Sequence, residues 1–220
     1  MDIPILFADS RFVVLDKPAG LPVHPGPRGG ASVEDFFPKL SRRRDGPWLV
    51  HRLDADTSGC LLVALRRSAL VEAQALFAAR RVEKLYWAVV DGSPPADEGE
   101  VRAALLRRSD ASGWRMLAGP GGQEAASRWR VLGRGDRTSW LEVRPLTGRT
   151  HQVRAHCAHL GCPVHGDAVY GTGPGPLLLL ARSLSLPLTP PVAAVAEPPP
   201  AMAAAIAACR KADQPGAAKA

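Results

Sequence analysis

The chain has 220 residues and a net charge of +7, and most of its 28 basic residues are arginine, the side chain suited to forked phosphate contacts and to stacking on bases. Its apolar runs stay far below the roughly 18 residues that span a bilayer, and Cys60, Cys157, Cys162 and Cys209 include no CxxC pair. A membrane span and a CxxC centre are thereby excluded, and a reduced cytoplasmic protein with no leader ahead of Ile3 is the expectation.

In chain order, Ile5 to Phe7 and Phe12 to Asp16 are expected as short strands around an Asp9-Ser10 turn, followed by a Pro/Gly-rich loop from Pro18 to Gly30. After a loop at "RRRDGP", "WLV" and "CLLVAL" are strand-like and enclose a polar knot of His51, Arg52, Asp54 and Asp56. "SALVEAQALFAARRVEK" places Leu70, Ala73, Leu76 and Phe77 at helical spacing behind a Ser68 cap. "KLYWAVVDG", "EVRAALL", "EAASRWRVLG" and "TSWLEVRPL" are expected strands between Gly/Asp turns. "TGRTHQVRAHCAHLG" is an expected helix, capped by Thr147 or Thr150 and stopped by Gly161. "LLLLARSLSL" is a further strand, and "AMAAAIAACRKA" a short helix before a mobile "QPGAAKA" end. Strands in meander order with few helices predict an α+β fold with a mixed, mostly antiparallel sheet and flanking helices. Residues 1–188 form the expected domain, and 189–220 a Pro/Ala-rich, partly mobile extension.

An isolated R-x-D such as Arg52 and Asp54 is more often a salt bridge than a site. Asp56, Thr57 and Ser58 are turn chemistry, with Gly59 free to take positive φ. Residues 147 to 167 hold four of the six histidines, yet His151 and His156 are five apart and point about 140° away from each other on a helix. A metal pair wants three or four, so a zinc site is disfavoured. The same wheel groups Thr150, His151 and Arg154 on one stripe and Val153, Cys157 and Leu160 on a buried one, leaving Arg154 on a face that need not be core. Lys84 and Tyr86 share a strand face, where a tyrosine offers a plane for an unpaired base and a lysine a phosphate contact. Lys17 and His24 are conceivable backbone contacts, although a rigid Pro/Gly segment such as theirs more often simply covers a site or a core edge. "GPRGG" lacks the ending of a phosphate loop, and no GxSxG elbow occurs, so nucleotide and serine hydrolase chemistry are disfavoured.

Together "KPAGLPVHPG", "HRLDADTSG", "KLYWAVVDG" and "TGRTHQVRAHCAHLGCPVHGDAVYG" resemble, in order from about Ile5 to Leu188, the motifs of the RluA-type RNA pseudouridine synthases. That resemblance implies the pseudouridine synthase α+β fold with an RNA-binding cleft, and isomerisation of uridine in RNA without cofactor or metal. It implies Asp54 as the catalytic aspartate and Arg52 as the side chain that fills the space of a flipped-out base. Tyr86 is implied to pack on the target base, Arg154 to pair with the catalytic carboxylate, and Arg149 to be a further cation. Leu180 stands where the family has a histidine, and His165 where an apolar residue is common. No S4 RNA-binding domain fits ahead of Lys17-Pro18, so target choice, in tRNA or large-subunit rRNA, is expected to rest on the catalytic domain. Nothing in the sequence demands a dimer, and a monomer is expected. The competing expectations are a non-catalytic RNA-binding or ribosome-assembly factor on the same fold and, third, a zinc-dependent hydrolase acting on RNA.

The chemistry agrees with those roles. Turning an N-glycoside into a C-glycoside breaks a bond at C1′ and builds positive charge on the ribose. A carboxylate there can stabilise or attack that centre, as in glycoside hydrolysis, or take a proton from C2′. A stacked uridine must first be extruded, at a cost of a few kcal/mol.

Overall fold

The computed structural model describes residues 2–26, 29–41, 45–110, 113–171 and 173–212, with side chains to Arg210. The expected mobile "QPGAAKA" and the arginines of "RRRDGP" lie outside the described residues. Two compact units form: Met1–Tyr86 with Leu180–Glu197, and Trp87–Leu179 with Pro198–Ala220.

In the first unit β1 (Ile5–Ala8), β2 (Phe12–Lys17), β4 (Ser58–Ala64) and β11 (Leu179–Leu186) are neighbours in that order. β3 (Trp48–Leu49) lies beside β4, and β12 (Val192–Val195) beside β11. β4 is buried along its whole length and pairs antiparallel with β2 through Val13↔Val63 and Leu15↔Leu61. Its other partner, β11, runs parallel to it through Ser58↔Leu180 and Gly59↔Ala181. Val13, Leu15, Leu61 and Val63 join Ile3, Leu21, Val33 and Leu53 in one apolar cluster. The Asp9 turn closes on its own carboxylate, whose Oδ1 accepts the N–H groups of Arg11 and Phe12 at 2.7 and 2.6 Å. After a 3-10 turn at Val33–Phe36 come α1 (Phe37–Leu40) and α2 (Arg67–Ala78). α2 buries Ala69, Ala73 and Leu76 at helical spacing. Its N-cap is Arg66 without a side-chain cap bond, so Ser68 sits inside the first turn and does not cap.

In the second unit β5 (Glu83–Asp91, of which this unit holds Trp87 onward), β10 (Thr138–Pro145), β9 (Ala126–Arg134) and β6 (Glu98–Arg102) are neighbours in that order, while β7 (Leu105–Asp110) and β8 (Gly113–Ala118) make a separate hairpin. β10, β9 and β6 pair antiparallel, as do β7 and β8. "EVRAALL" is thus two strands, divided where Ala103 N–H turns to the Ala125 carbonyl. α3 (Gln152–His159) buries every residue from Gln152 to Cys157, Arg154 included, so the division of this segment into a core stripe and an open Arg154 stripe does not hold. Its N-cap is His151 in the left-handed region at φ 53° and not a threonine. α4 (Pro200–Ala212) buries Met202, Ile206 and Cys209, the last against Gly133 of β9. All four cysteines are unpaired and buried. The result is an α+β fold with mixed strand pairing, and among the described residues no helix is long and apolar enough to cross a membrane.

Candidate active site

In the first unit the loop from Val50 to Thr57 joins β3 to β4. Leu53 enters the apolar cluster, while Arg52 is exposed and Asp54 half-buried on either side of it. The turn behind Asp54 is held from within: Thr57 N–H donates to the Asp54 carbonyl at 3.2 Å, and the Ala55 carbonyl accepts from Gly20 N–H at 2.9 Å. Lys17 completes this arrangement. Fully buried, its ammonium donates to the carbonyls of Pro18, Leu21 and Ala55 at 2.9, 2.8 and 2.7 Å. Burial brings its pKa from 10.5 to about 8, against the opposing pull of Asp56 and Asp54. Lys17 therefore ties the "KPAGL" loop to the Asp54 turn and is no phosphate contact. His24, the other conceivable backbone contact, pairs with Glu34 at 2.9 Å.

His51 anchors the loop's start. Its Nε2 accepts from Leu62 N–H at 3.0 Å, and its ring stacks on Phe77 at 5.1 Å. Burial and the nearby Lys84 cation push its pKa down to about 4, so it is neutral and structural. Tyr86 packs against the same apolar cluster as Leu53. Burial, with the charges of Asp54 and Cys60, raises the Tyr86 phenol well above its usual range and keeps it neutral. The Asp54 charge is thus felt by both Lys17 and Tyr86 within this unit.

In the second unit Arg154 lies at the centre of a buried network. Its Nε and one amino group form a fork on Asp167 at 2.7 and 2.8 Å. Asp167 Oδ1 also accepts the N–H groups of Val169 and Tyr170 at 2.9 and 3.1 Å. Burial alone would raise the Asp167 carboxyl, yet the Arg154 fork and these N–H groups hold it below the usual carboxylate range. The polar residues before α3 brace its entry. Gln152 Oε1 accepts from the Thr147 hydroxyl at 2.6 Å and from Arg149 N–H at 3.0 Å, and Gln152 Nε2 donates to the Ala126 carbonyl at 2.8 Å. Arg149 Nε donates to the Glu124 carbonyl at 2.9 Å. Of the two departures from the expected pattern, Leu180 is fully buried, and His165 Nδ1 meets Asp91 Oδ1 at 2.7 Å. Among the described residues no three His, Cys, Asp or Glu side chains gather as metal ligands.

Residues 11–159 match the sequence profile described as RNA pseudouridylate synthase. The chain belongs to that family. An RNA pseudouridine synthase of Zymomonas mobilis, itself uncharacterized, is 41% identical over 171 residues, covering 76% of this chain and 78% of the relative. The ribosomal large subunit pseudouridine synthase C of Vibrio cholerae is 37% identical over 167 residues, and this match covers 76% of the chain and 52%, about half, of that protein. Among solved structures, the human RNA pseudouridylate synthase domain containing 4 superposes with a TM-score of 0.79 at 28% identity, covering 93% of this chain and 92% of that one. Membership of the pseudouridylate synthase family makes the chain an enzyme of RNA modification and bears out the α+β fold expected from its motifs.

Within this pseudouridylate synthase, Asp54 and Tyr86 lie in the first unit and Arg154 and Arg149 in the second. Asp167 was missed by sequence reasoning, because the Arg154 fork that defines it forms only in the fold. The buried role of Lys17 was not foreseen, because its three acceptors are backbone carbonyls, which no side-chain pattern announces.

Proposed function

We propose that this pseudouridylate synthase isomerises particular uridines of tRNA or large-subunit rRNA, with Asp54 as the carboxylate that acts at ribose C1′ or C2′ of an extruded nucleotide. The observation that carries this reading is the Asp54 turn: a half-buried carboxylate fixed from behind by Leu53 and Lys17, with the neutral Tyr86 phenol in its field. Arg52, exposed beside it, fills the space the base leaves in the RNA stack. Tyr86 offers its ring to the extruded uracil, and its raised pKa keeps a second anion away from that base. Arg154 is the arginine that works with the carboxylate, and Arg149 a further cation toward RNA. Once the N1–C1′ bond breaks, the uracil turns and rejoins C1′ through C5, whose proton is then lost to solvent while the freed N1 takes one up, so that the product is an isomer of uridine. The relatives named for the ribosomal large subunit support rRNA as substrate. The enzyme is read as a cytoplasmic monomer whose reaction needs no cofactor.

Tritium at uracil C5 reports the final step. RNA from cells lacking the enzyme, labelled in this way, is expected to release tritium with the parent chain. Asp54→Asn is expected to release none while still binding RNA, and near-parental release by that variant would falsify the assignment.

A further inference from the structure

One cluster has no part in the proposed reaction. It lies within the second unit, where the β7–β8 hairpin meets the start of α3. Trp114 on β8, 39% exposed, stacks on the His151 ring with centroids 4.7 Å apart and planes at 26°. The Arg107 guanidinium lies 4.7 Å from the Trp114 centroid. His151 holds φ 53°, a left-handed conformation that a non-glycine residue keeps only where its surroundings enforce it. Its Nδ1 is 3.1 Å from the Tyr170 hydroxyl, and the two rings meet edge to face at 5.8 Å. That hydroxyl accepts Met116 N–H at 2.9 Å, so it bridges the β8 backbone and the His151 ring. The Tyr170 ring in turn lies 5.3 Å from the guanidinium carbon of Arg154. A continuous run of contacts therefore leads from an exposed hairpin to the buried arginine of the site.

We propose that Tyr170 is a positioning residue for Arg154, and that its hydroxyl, latched to Met116 and His151, makes docking of the β7–β8 hairpin a condition of Arg154's orientation. This rests on the reading of Arg154 as a cation of the RNA site. Asp167 fixes Arg154 along one edge of its guanidinium plane, and the Tyr170 ring limits the tilt that such a fork still allows. A lone two-stranded hairpin is marginal in water, so the latch stabilises the hairpin as much as the hairpin holds Tyr170. The hairpin's outer face sets Arg108 directly opposite Arg115, with Asp110 meeting Arg115 at 3.2 Å. Like charges facing across a ribbon destabilise it, and a polyanion such as RNA between them relieves that repulsion. RNA held on the hairpin would thus favour the arrangement that orients Arg154.

Tyr170→Phe keeps the ring and removes the latch, while Trp114→Ala removes the hairpin's stack on His151. The deciding measurement is the Arg154 Nε–H signal in nitrogen-edited NMR of the free full chain, assigned through Arg154→Lys. It is expected to shift and to exchange faster in both variants, with Trp114→Phe restoring it. An unmoved signal in Tyr170→Phe overturns the proposal, whatever the turnover. Single-turnover tritium release from C5-labelled RNA by Tyr170→Phe is expected to fall about tenfold, with RNA affinity changed less than about twofold. A parent chain that releases no tritium refutes the proposed reaction, and a displaced Arg154 signal supports the positioning role even then.

Discussion

A lysine without exposed surface is costly unless its donors are fully used, and Lys17 meets that condition with the carbonyls of Pro18, Leu21 and Ala55. Its folded pKa of about 8 lies below the ordinary 10.5, so between those values the unfolded chain binds the proton more tightly. Stability should therefore rise with pH across that window, by up to about 3 kcal/mol, and be flat in this respect below pH 8. Urea midpoints at several pH values, compared with Lys17→Met, test this. A parallel course in the two proteins would show that Lys17 does not titrate there. Leu53 was legible in the sequence as the apolar plug of its turn, and it does enter the cluster, whereas Asp54 stood out only through the resemblance of "HRLDADTSG" to a family motif. Lys17 and Asp167 were not legible, since the groups that define them, loop carbonyls and an arginine 13 residues away, become neighbours only in the fold.

At the scale of elements, β4 depends on one residue more than on its propensity. Gly59 has φ 103°, and a Cβ there would lie 2.4 Å from the Ala181 carbonyl oxygen of β11 and 2.8 Å from Leu180 Cδ1. The expectation that Gly59 takes positive φ is met, and the close approach of the parallel neighbour adds a second reason for glycine. Gly59→Ala should cost about 3 kcal/mol or more through strain and overpacking. Thermal unfolding checks this, and a midpoint within about 2 °C of the parent would contradict it. Strands with a short apolar run, such as β2 with its buried Phe12 to Leu15 and β5 with its buried Ala88 to Val90, were legible because that run is set by burial on the spot. The β7–β8 hairpin was not: β8 reads "GWRMLA", whose alternation is broken by glycine and arginine, and it becomes a strand through pairing with β7. The entry to α3 was misplaced because Thr147, a good cap in isolation, donates its hydroxyl to Gln152 instead.

For the molecule as a whole, the charge of +7 predicts an RNA affinity dominated by phosphate contacts. Filter binding to tRNA or rRNA should weaken at least about tenfold between roughly 50 and 200 mM salt. Affinity independent of salt would argue that the arginine excess has no part in binding. The segment after residue 188, expected as an extension, is woven into both units over its described residues, β12 on β11 and α4 over β9 and β10. Its composition concealed this, because an Ala-rich helix with three buried residues presents a weak apolar pattern. The sulfur atoms of the molecule have a practical consequence. With Cys60, Cys157, Cys162 and Cys209 all enclosed in the folded interior, the native protein offers no thiol to a maleimide dye. Ser109→Cys, at an exposed position on β7, would then take a single fluorophore on the hairpin with every native cysteine left in place, so that its encounter with RNA could be followed directly.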